Sequence, residues 1–211
     1  MYDKKFVYPK KDMNNDKKEI RNVTYPVQVT GQDDQAKRTV EGYALLFDTP
    51  SDGLSFEEVI ERGALDGVIA KSDVLALMNH SLDRGVLARS TNGAGSLTLK
   101  VDEKGLLYRF EAPRTPLGDE LLENLRRGEV TTSSFCFTSK KDTWEERGDG
   151  TWKRTIHQID ELFDVSPVYN AAYSATSVYT RGRDEIIQKR EAEQMANLEG
   201  YYKTIENSLN F

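Results

Sequence analysis

Hydrophobic and polar positions alternate along several stretches of the chain, and a period of two predicts strands. The segments 38–49 and 96–113 are rich in β-branched and aromatic residues, and a polar DEKG turn inside the second predicts a hairpin. The continuous apolar run at 73–80 predicts a buried strand. Further strands are predicted at 130–139 and at 152–169, the latter as one long strand or two strands joined by a bulge.

A helical period occurs at 115–129, where three leucines form an apolar stripe. Acidic residues come early in this segment and two arginines come late, as the helix dipole favours, and Gly128 predicts its end. The segment 56–72 is predicted to be helical or mixed, with a possible break at Gly63.

These elements together predict an α+β fold, with a mostly antiparallel, β-barrel-like core flanked by helices. Residues 1–37 are predicted to be a polar, flexible N-terminal segment, and residues 38–181 to form the core domain. Residues 182–211 are charged and helix-prone, and they predict a helical C-terminal tail.

Composition restricts the possible classes of function more than it restricts the possible folds. The 211 residues carry a net charge of −6, which argues against nucleic-acid binding, because a nucleic-acid binder normally presents a basic face. No run approaches the roughly 20 apolar residues that span a bilayer, so we expect no membrane association. A single cysteine, Cys136, excludes an internal disulfide, and two histidines without acidic residues at ligand spacing predict no metal and no cofactor.

Two residue types suited to nucleophilic catalysis stand on different predicted strands. His80 ends the apolar run, and histidine titrates near neutral pH, which suits a general base. A serine hydroxyl becomes a nucleophile when such a base takes its proton. Alternation places Ser134 with Cys136 on the more polar face of its strand, whereas Ser133 points with two phenylalanines. A structural histidine and a serine-rich strand without chemistry are the alternatives.

A base needs an orienting partner, and Asp164 is the candidate. It lies between hydrophobic residues, where an ionised carboxylate is costly unless it is paired. A buried carboxylate against His80 would meet that cost, and a surface-exposed acid is the alternative.

Five segments, in this order, resemble the prohead (capsid-maturation) proteases of tailed bacteriophages, distant relatives of the herpesvirus assemblins. The resemblance covers roughly residues 38–180 and rests on the order and spacing of the segments. The five segments, in chain order, are EGYALLFDTPSDGLSFEEVIERGAL (41–65), VLALMNHS (74–81), DEKGLLYRFEAP (102–113), LRRGEVTTSSFCF (125–137) and LFDVSPVYNAAYSAT (162–176).

The resemblance implies that His80 is the base, Ser134 the nucleophile and Asp164 the third member of a catalytic triad. Asp164 stands where the family pattern most often has glutamate, and Cys136 where it usually has glycine. Because assemblins use a second histidine as the third member, His157 is a rival to Asp164.

The resemblance further implies a serine endopeptidase that needs no cofactor. Its expected substrates are the major capsid protein or a scaffold protein, and the protease itself. It would act inside the immature capsid in the cytoplasm of the bacterial host, as a homodimer by analogy with assemblins, and the tail at 182–211 would mediate assembly or inhibition before its removal. There are two alternative hypotheses. One is a catalytically inert scaffold or capsid-assembly chaperone of the same fold, and the other is a small β-barrel module that binds a peptide.

Overall fold

The structure is a computed structural model that describes residues 18–30, 38–169, 188–189 and 191–196. The chain divides into two units, Met1–Tyr173 and Ser174–Phe211. The described residues of the second unit are helical, and the remainder of the predicted tail at 182–211 lies outside the described residues. None of the described helices is long and apolar enough to cross a membrane.

The larger of two sheets carries the candidate site. Its seven strands are β1 (Glu19–Val23), β4 (Glu57–Ile60), β5 (Asp73–Ala76), β6 (Ala88–Thr91), β7 (Ala94–Gly95), β10 (Thr132–Glu146) and β11 (Trp152–Val168). They run in the order β1-β10-β11-β5-β6-β7, and β4 also pairs with β11. Most pairs are antiparallel, as predicted, but β11 pairs in parallel with both β4 and β5.

The smaller sheet is antiparallel and runs in the order β2-β3-β9-β8. Its strands are β2 (Gln28–Thr30), β3 (Thr39–Leu46), β8 (Leu97–Val101) and β9 (Gly105–Glu111). The α+β class is therefore as predicted, but the described strands form two open sheets and no closed barrel. Side chains from both sheets share one hydrophobic core, so their apolar faces are buried without closure.

A buried hydrogen bond crosses between the two sheets. The hydroxyls of Tyr108 on β9 and Ser133 on β10 are 2.9 Å apart. A Cβ atom at Gly42 on β3 would lie 2.9 Å from the Tyr108 oxygen and 3.1 Å from the Ser133 oxygen, so only glycine fits this close approach. Ser133 therefore belongs to the core, on the face that the alternation predicts for it.

The predicted helix is confirmed as α1 (Pro116–Arg127). Thr115 caps its N-terminus, since the threonine hydroxyl accepts a backbone N–H of the first turn. Gly128 ends it in the left-handed conformation, with φ of 73°. Leu121 and Leu122 of the apolar stripe are buried against the core.

Two parts of the chain differ from the sequence-based expectation. Strands β1 and β2 lie within residues 1–37, so the expected flexibility does not hold for these strands. The polar composition of this segment gave no signal for β1. Its charged Arg21 is nevertheless buried, at 1% exposed, because it is paired with Glu58. The segment 56–72 contains β4 followed by turns up to Lys71, and no α-helix.

Candidate active site

Two long neighbouring strands present the polar side chains of the site. In the antiparallel pair β10/β11, Ser134 lies opposite Ser166, and Cys136 lies opposite Asp164. Paired residues, and residues two apart on a strand, project from the same face of a sheet. The four side chains therefore lie together on one face, which agrees with the face predicted for Ser134.

The parallel strand β5 brings the histidine to the same place. Beyond β5 the chain continues beside β11, with Leu77 N–H donating to the Val165 carbonyl at 3.2 Å and Asn79 N–H donating to the Pro167 carbonyl at 3.0 Å. Asn79 and His80 then adopt φ of 55° and 57°, a left-handed turn that is uncommon outside glycine. Such turns cluster at functional sites, and this one redirects the chain beyond β5 at the position of the imidazole.

The imidazole of His80 lies between the other two predicted residues. Its Nδ1 is 2.7 Å from Asp164 Oδ1, and its Nε2 is 2.6 Å from Ser134 Oγ. Both separations are within hydrogen-bond reach. The structure thus brings together the serine, the histidine and the aspartate that the sequence singled out separately.

Ser166 is a fourth member of the cluster that was not singled out from the sequence. Its hydroxyl donates to Asp164 Oδ1 at 2.7 Å and lies 3.3 Å from His80 Nδ1. The available signal was its position two residues after Asp164, on the same strand face. A serine at that spacing is suited to hold the carboxylate in place.

His157, the rival third member, lies elsewhere on β11 and has other partners. Its Nδ1 is 2.7 Å from Glu61 Oε2, and its Nε2 is 2.9 Å from Thr143 Oγ1. Both ring nitrogens of His157 therefore have partners other than His80. The side chain that faces Nδ1 of His80 is Asp164.

A β-bulge in β11 separates Asp164 from the core. Cys136 pairs with Asp164 and the next residue, Phe137, pairs with Leu162, so β11 has one extra residue at this point. Leu162 consequently packs in the hydrophobic core, whereas Asp164 lies on the polar face. Strict alternation would put Leu162 on the same face as Asp164, and the bulge instead turns Leu162 toward the core.

Cys136 adjoins the site but has the properties of a structural thiol. Burial, together with the nearby carboxylate of Asp164, raises the pKa of Cys136 to about 12. The thiol is therefore protonated at neutral pH, and the thiolate is the reactive form.

The hydroxyl of Ser134 is enclosed in this structure. Ser134 is 0% exposed, and its Oγ donates to the backbone carbonyl of Arg21 at 2.8 Å. Arg21 is part of β1, which lies along β10 with Asn22 opposite Ser134. The side chains of His80 and Asp164 are slightly more open, at 17% and 10% exposed. In this arrangement Ser134 has no solvent-exposed surface, and β1 is the described element whose backbone contacts its hydroxyl.

Among the described residues, no group of three or more histidine, cysteine or acidic side chains is arranged to hold a metal ion. The chemistry available at the site is that of a serine, an imidazole and a carboxylate.

Comparisons with known proteins found a matching family model and a similar solved structure. A family model described as caudovirus prohead serine protease matches residues 25–197. The solved structure of the bacteriophage T4 capsid assembly protease is 11% identical, with a TM-score of 0.49, and the match covers 73% of this chain and 98% of that chain. No curated protein matches this sequence.

Proposed function

This chain belongs to the caudovirus prohead serine protease family, and we propose that it is a serine endopeptidase acting in prohead maturation through Ser134, His80 and Asp164. The observation that carries the proposal is the position of the His80 ring, within hydrogen-bond reach of both the Ser134 oxygen and the Asp164 carboxylate.

The reaction begins with the serine hydroxyl. His80 Nε2 accepts the proton of Ser134 as Oγ bonds to the carbonyl carbon of the scissile peptide, which creates a tetrahedral intermediate. The intermediate collapses when the protonated imidazole gives that proton to the leaving amine, and an acyl ester remains on Ser134. Water then attacks the ester with His80 again as base, and the acid product leaves as the hydroxyl re-forms.

Asp164 holds the base in its working tautomer. Its carboxylate accepts the Nδ1–H of His80, which keeps Nε2 free to accept a proton and stabilises the imidazolium that forms. Aspartate is shorter than the glutamate most common in the family, but the parallel pairing of Leu75 with Asp164 brings β5 close to β11. Ser166 acts as a positioning residue, because its hydroxyl fixes the carboxylate oxygen that meets the histidine.

The substrates we propose are the major capsid protein or a scaffold protein, and the protease itself. The reaction takes place inside the immature capsid in the host cytoplasm, with a homodimer as the working form and without cofactor, nucleic acid or membrane. We place the protease domain at residues 38–181, with strands β1 and β2 of the preceding segment added to its sheets, and the tail at 182–211 mediates assembly or inhibition and is removed. Mass spectrometry of protease recovered from mature particles tests the removal, and an intact C-terminus contradicts it.

A matched pair of variants tests the nucleophile. Ser134→Ala is expected to lower capsid-protein processing in proheads by at least about 10⁴-fold, because the acyl ester no longer forms. Ser133→Ala removes the neighbouring hydroxyl, which faces Tyr108 in the core, and is expected to retain processing despite a stability loss of about 1–3 kcal/mol. Normal processing by Ser134→Ala in intact proheads would reject the proposal.

One observation favours a second candidate, a catalytically inert scaffold or assembly chaperone of the same fold. Ser134 is completely enclosed, as a serine without chemistry can be. The two candidates differ in what the Ser134→Ala variant does: an inert chaperone supports normal particle assembly and leaves protein cleavage unchanged, whereas loss of cleavage with assembly retained identifies the protease.

A further inference from the structure

Among the described strands, the one that encloses Ser134 lies at the edge of its sheet. β1 is the terminal strand in the order β1-β10-β11-β5-β6-β7 and pairs with β10 over Glu19–Val23. An edge strand can separate from its one neighbour without breaking the pairing among the remaining strands. The departure of β1 would therefore leave β10, β11 and β5, which carry or position the catalytic side chains, paired as they are.

The contact with β1 also affects the proton that catalysis must move. A serine hydroxyl has a single hydrogen, and in this structure Ser134 donates it to the Arg21 carbonyl, which can only accept. That hydrogen is therefore not directed at His80 Nε2, which lies 2.6 Å from the same serine oxygen. Docked β1 therefore blocks access to the serine and also holds the hydrogen that catalysis must transfer to Nε2.

Buried ion pairs anchor β1 to its neighbours. Arg21 of β1 forms a bidentate pair with Glu58 on β4, which is itself 0% exposed. Glu19 of β1 accepts from Arg154 on β11, with Nη2 to Oε1 at 2.9 Å. Charge-assisted bonds of this kind hold a strand in one register more firmly than ladder bonds alone.

The same network permits β1 to leave without stranding a charge. The strand carries away Glu19 and Arg21, which are opposite in sign and bonded to each other at 2.6 Å. Glu58 and Arg154 remain behind and are already paired, at 3.0 Å. An isolated buried charge would make separation very costly, and neither side of this interface is left with one.

From these contacts we infer that β1 is an inhibitory strand: it keeps the protease latent while docked on β10, and its separation opens Ser134 to the substrate. The inference rests on the proposed function and adds the element that regulates it. Separation exposes the serine oxygen and frees its hydrogen from the Arg21 carbonyl, so that the hydroxyl can turn toward His80 Nε2.

A disulfide across the β1/β10 pair provides a lock. Ile20 lies directly opposite Cys136, and such paired positions have Cα separations within the range that a disulfide spans. We would form the bridge in an Ile20→Cys variant during refolding with a glutathione redox pair, since the native thiol of Cys136 is poorly ionised. The double variant Ile20→Cys/Cys136→Ala carries the same introduced thiol, forms no bridge and is the matched control.

The readout is the rate at which a fluorophosphonate probe labels Ser134, located by peptide mapping. The bridged variant is expected to show no labelling, and reduction is expected to restore the rate of the double-variant control. Equal labelling of the bridged and reduced forms overturns the inference, because β1 then need not move.

A second pair of variants loosens β1 instead of locking it. Glu19→Gln removes a charge that β1 contributes to Arg154, whereas Asp142→Asn removes a charge that faces the same arginine from β10. Glu19→Gln is expected to speed labelling about tenfold, since a charge-assisted bond that holds β1 is lost, and Asp142→Asn is expected to match the unmodified protein. Equal rates in the two variants, or no labelling in Glu19→Gln, overturn the inference.

Failure of this inference is distinguishable from failure of the proposed function. If β1 is only structural, Ser134→Ala still abolishes processing in proheads, while the bridge and the Glu19→Gln change leave labelling unaltered. If the chain is an inert chaperone, Ser134→Ala leaves processing in proheads unchanged, whatever the labelling rates.

Discussion

The imidazole of His80 and the carboxylate of Asp164 are 84 positions apart in the sequence and 2.7 Å apart in the structure. The contact exists because β5 and β11 are parallel neighbours, and the chain leaving β5 turns through two left-handed residues beside Pro167, from which the imidazole reaches Asp164. The rival His157 is engaged with Glu61 and Thr143 instead. This difference leads to distinct expectations for the two residues.

Asp164→Asn is expected to lower kcat by about 10⁴-fold with little loss of stability, because an amide does not enforce the Nδ1–H tautomer of His80. His157→Ala is the matched control and is expected to leave kcat unchanged. Steady-state kinetics on a peptide from the processed capsid protein measures both. A large loss in His157→Ala, with Asp164→Asn active, would assign the third role to His157.

His80→Ala is expected to abolish cleavage while the protein remains folded. The side chain is partly exposed and lies in a turn after β5, so truncation removes little core packing. Circular dichroism and thermal melting check the fold, and processing in proheads checks activity. A folded variant that cleaves at the normal rate would exclude His80 as the base.

Ser166→Ala is expected to lower kcat about tenfold with KM unchanged, because the Asp164 carboxylate loses the hydroxyl that orients it. Ser166→Thr retains a hydroxyl at this position and is expected to restore most of the rate. A purely structural role predicts a lower melting temperature without the split between kcat and KM.

Cys136 is expected to resist alkylation in the native protein. Its pKa of about 12 compares with 9.0 for an ordinary thiol, so the thiolate fraction falls about 10³-fold. Iodoacetamide at pH 8 should therefore modify Cys136 rapidly in denaturant and very slowly in the folded state. Stoichiometric modification of the native protein would contradict the burial seen here.

The ion pairs of β1 are expected to make stability depend on pH. Burial alone disfavours the charged form of Glu19, but Arg154 and Arg21 outweigh it and hold the Glu19 pKa below its ordinary value of 4.5. Because the pKa is lowered on folding, ionised Glu19 contributes its full stabilisation above pH 4.5. This stabilisation is lost as the pH falls through the folded-state pKa. Thermal melting between pH 7 and pH 3 should show a smaller acid-induced decrease in Glu19→Gln than in the unmodified protein. Parallel curves would contradict this role for Glu19.

Sequence patterns predicted the elements whose signals are local. The helix over 116–127 follows from its leucine spacing and from Gly128 at its end, and the structure adds Thr115 as its N-cap. The separation of Ser134 from Ser133 follows from the period of a strand. The strand β1 was missed because its burial depends on Glu58 and Arg154, which are remote in sequence and pair with its charges only after folding.

The sequence by itself determined which residues could do chemistry and which strand face presents Ser134, because side-chain period and residue type are local properties. Tertiary structure decided which residues meet. The parallel placement of β5 brings His80 to Asp164, the bulge turns Leu162 into the core, and β1 closes over Ser134. These outcomes depend on pairing between strands that are distant in the sequence. A strand pairs where its backbone hydrogen bonds and its buried charges can be satisfied, and the periodicity of the sequence does not specify which distant strand meets these conditions.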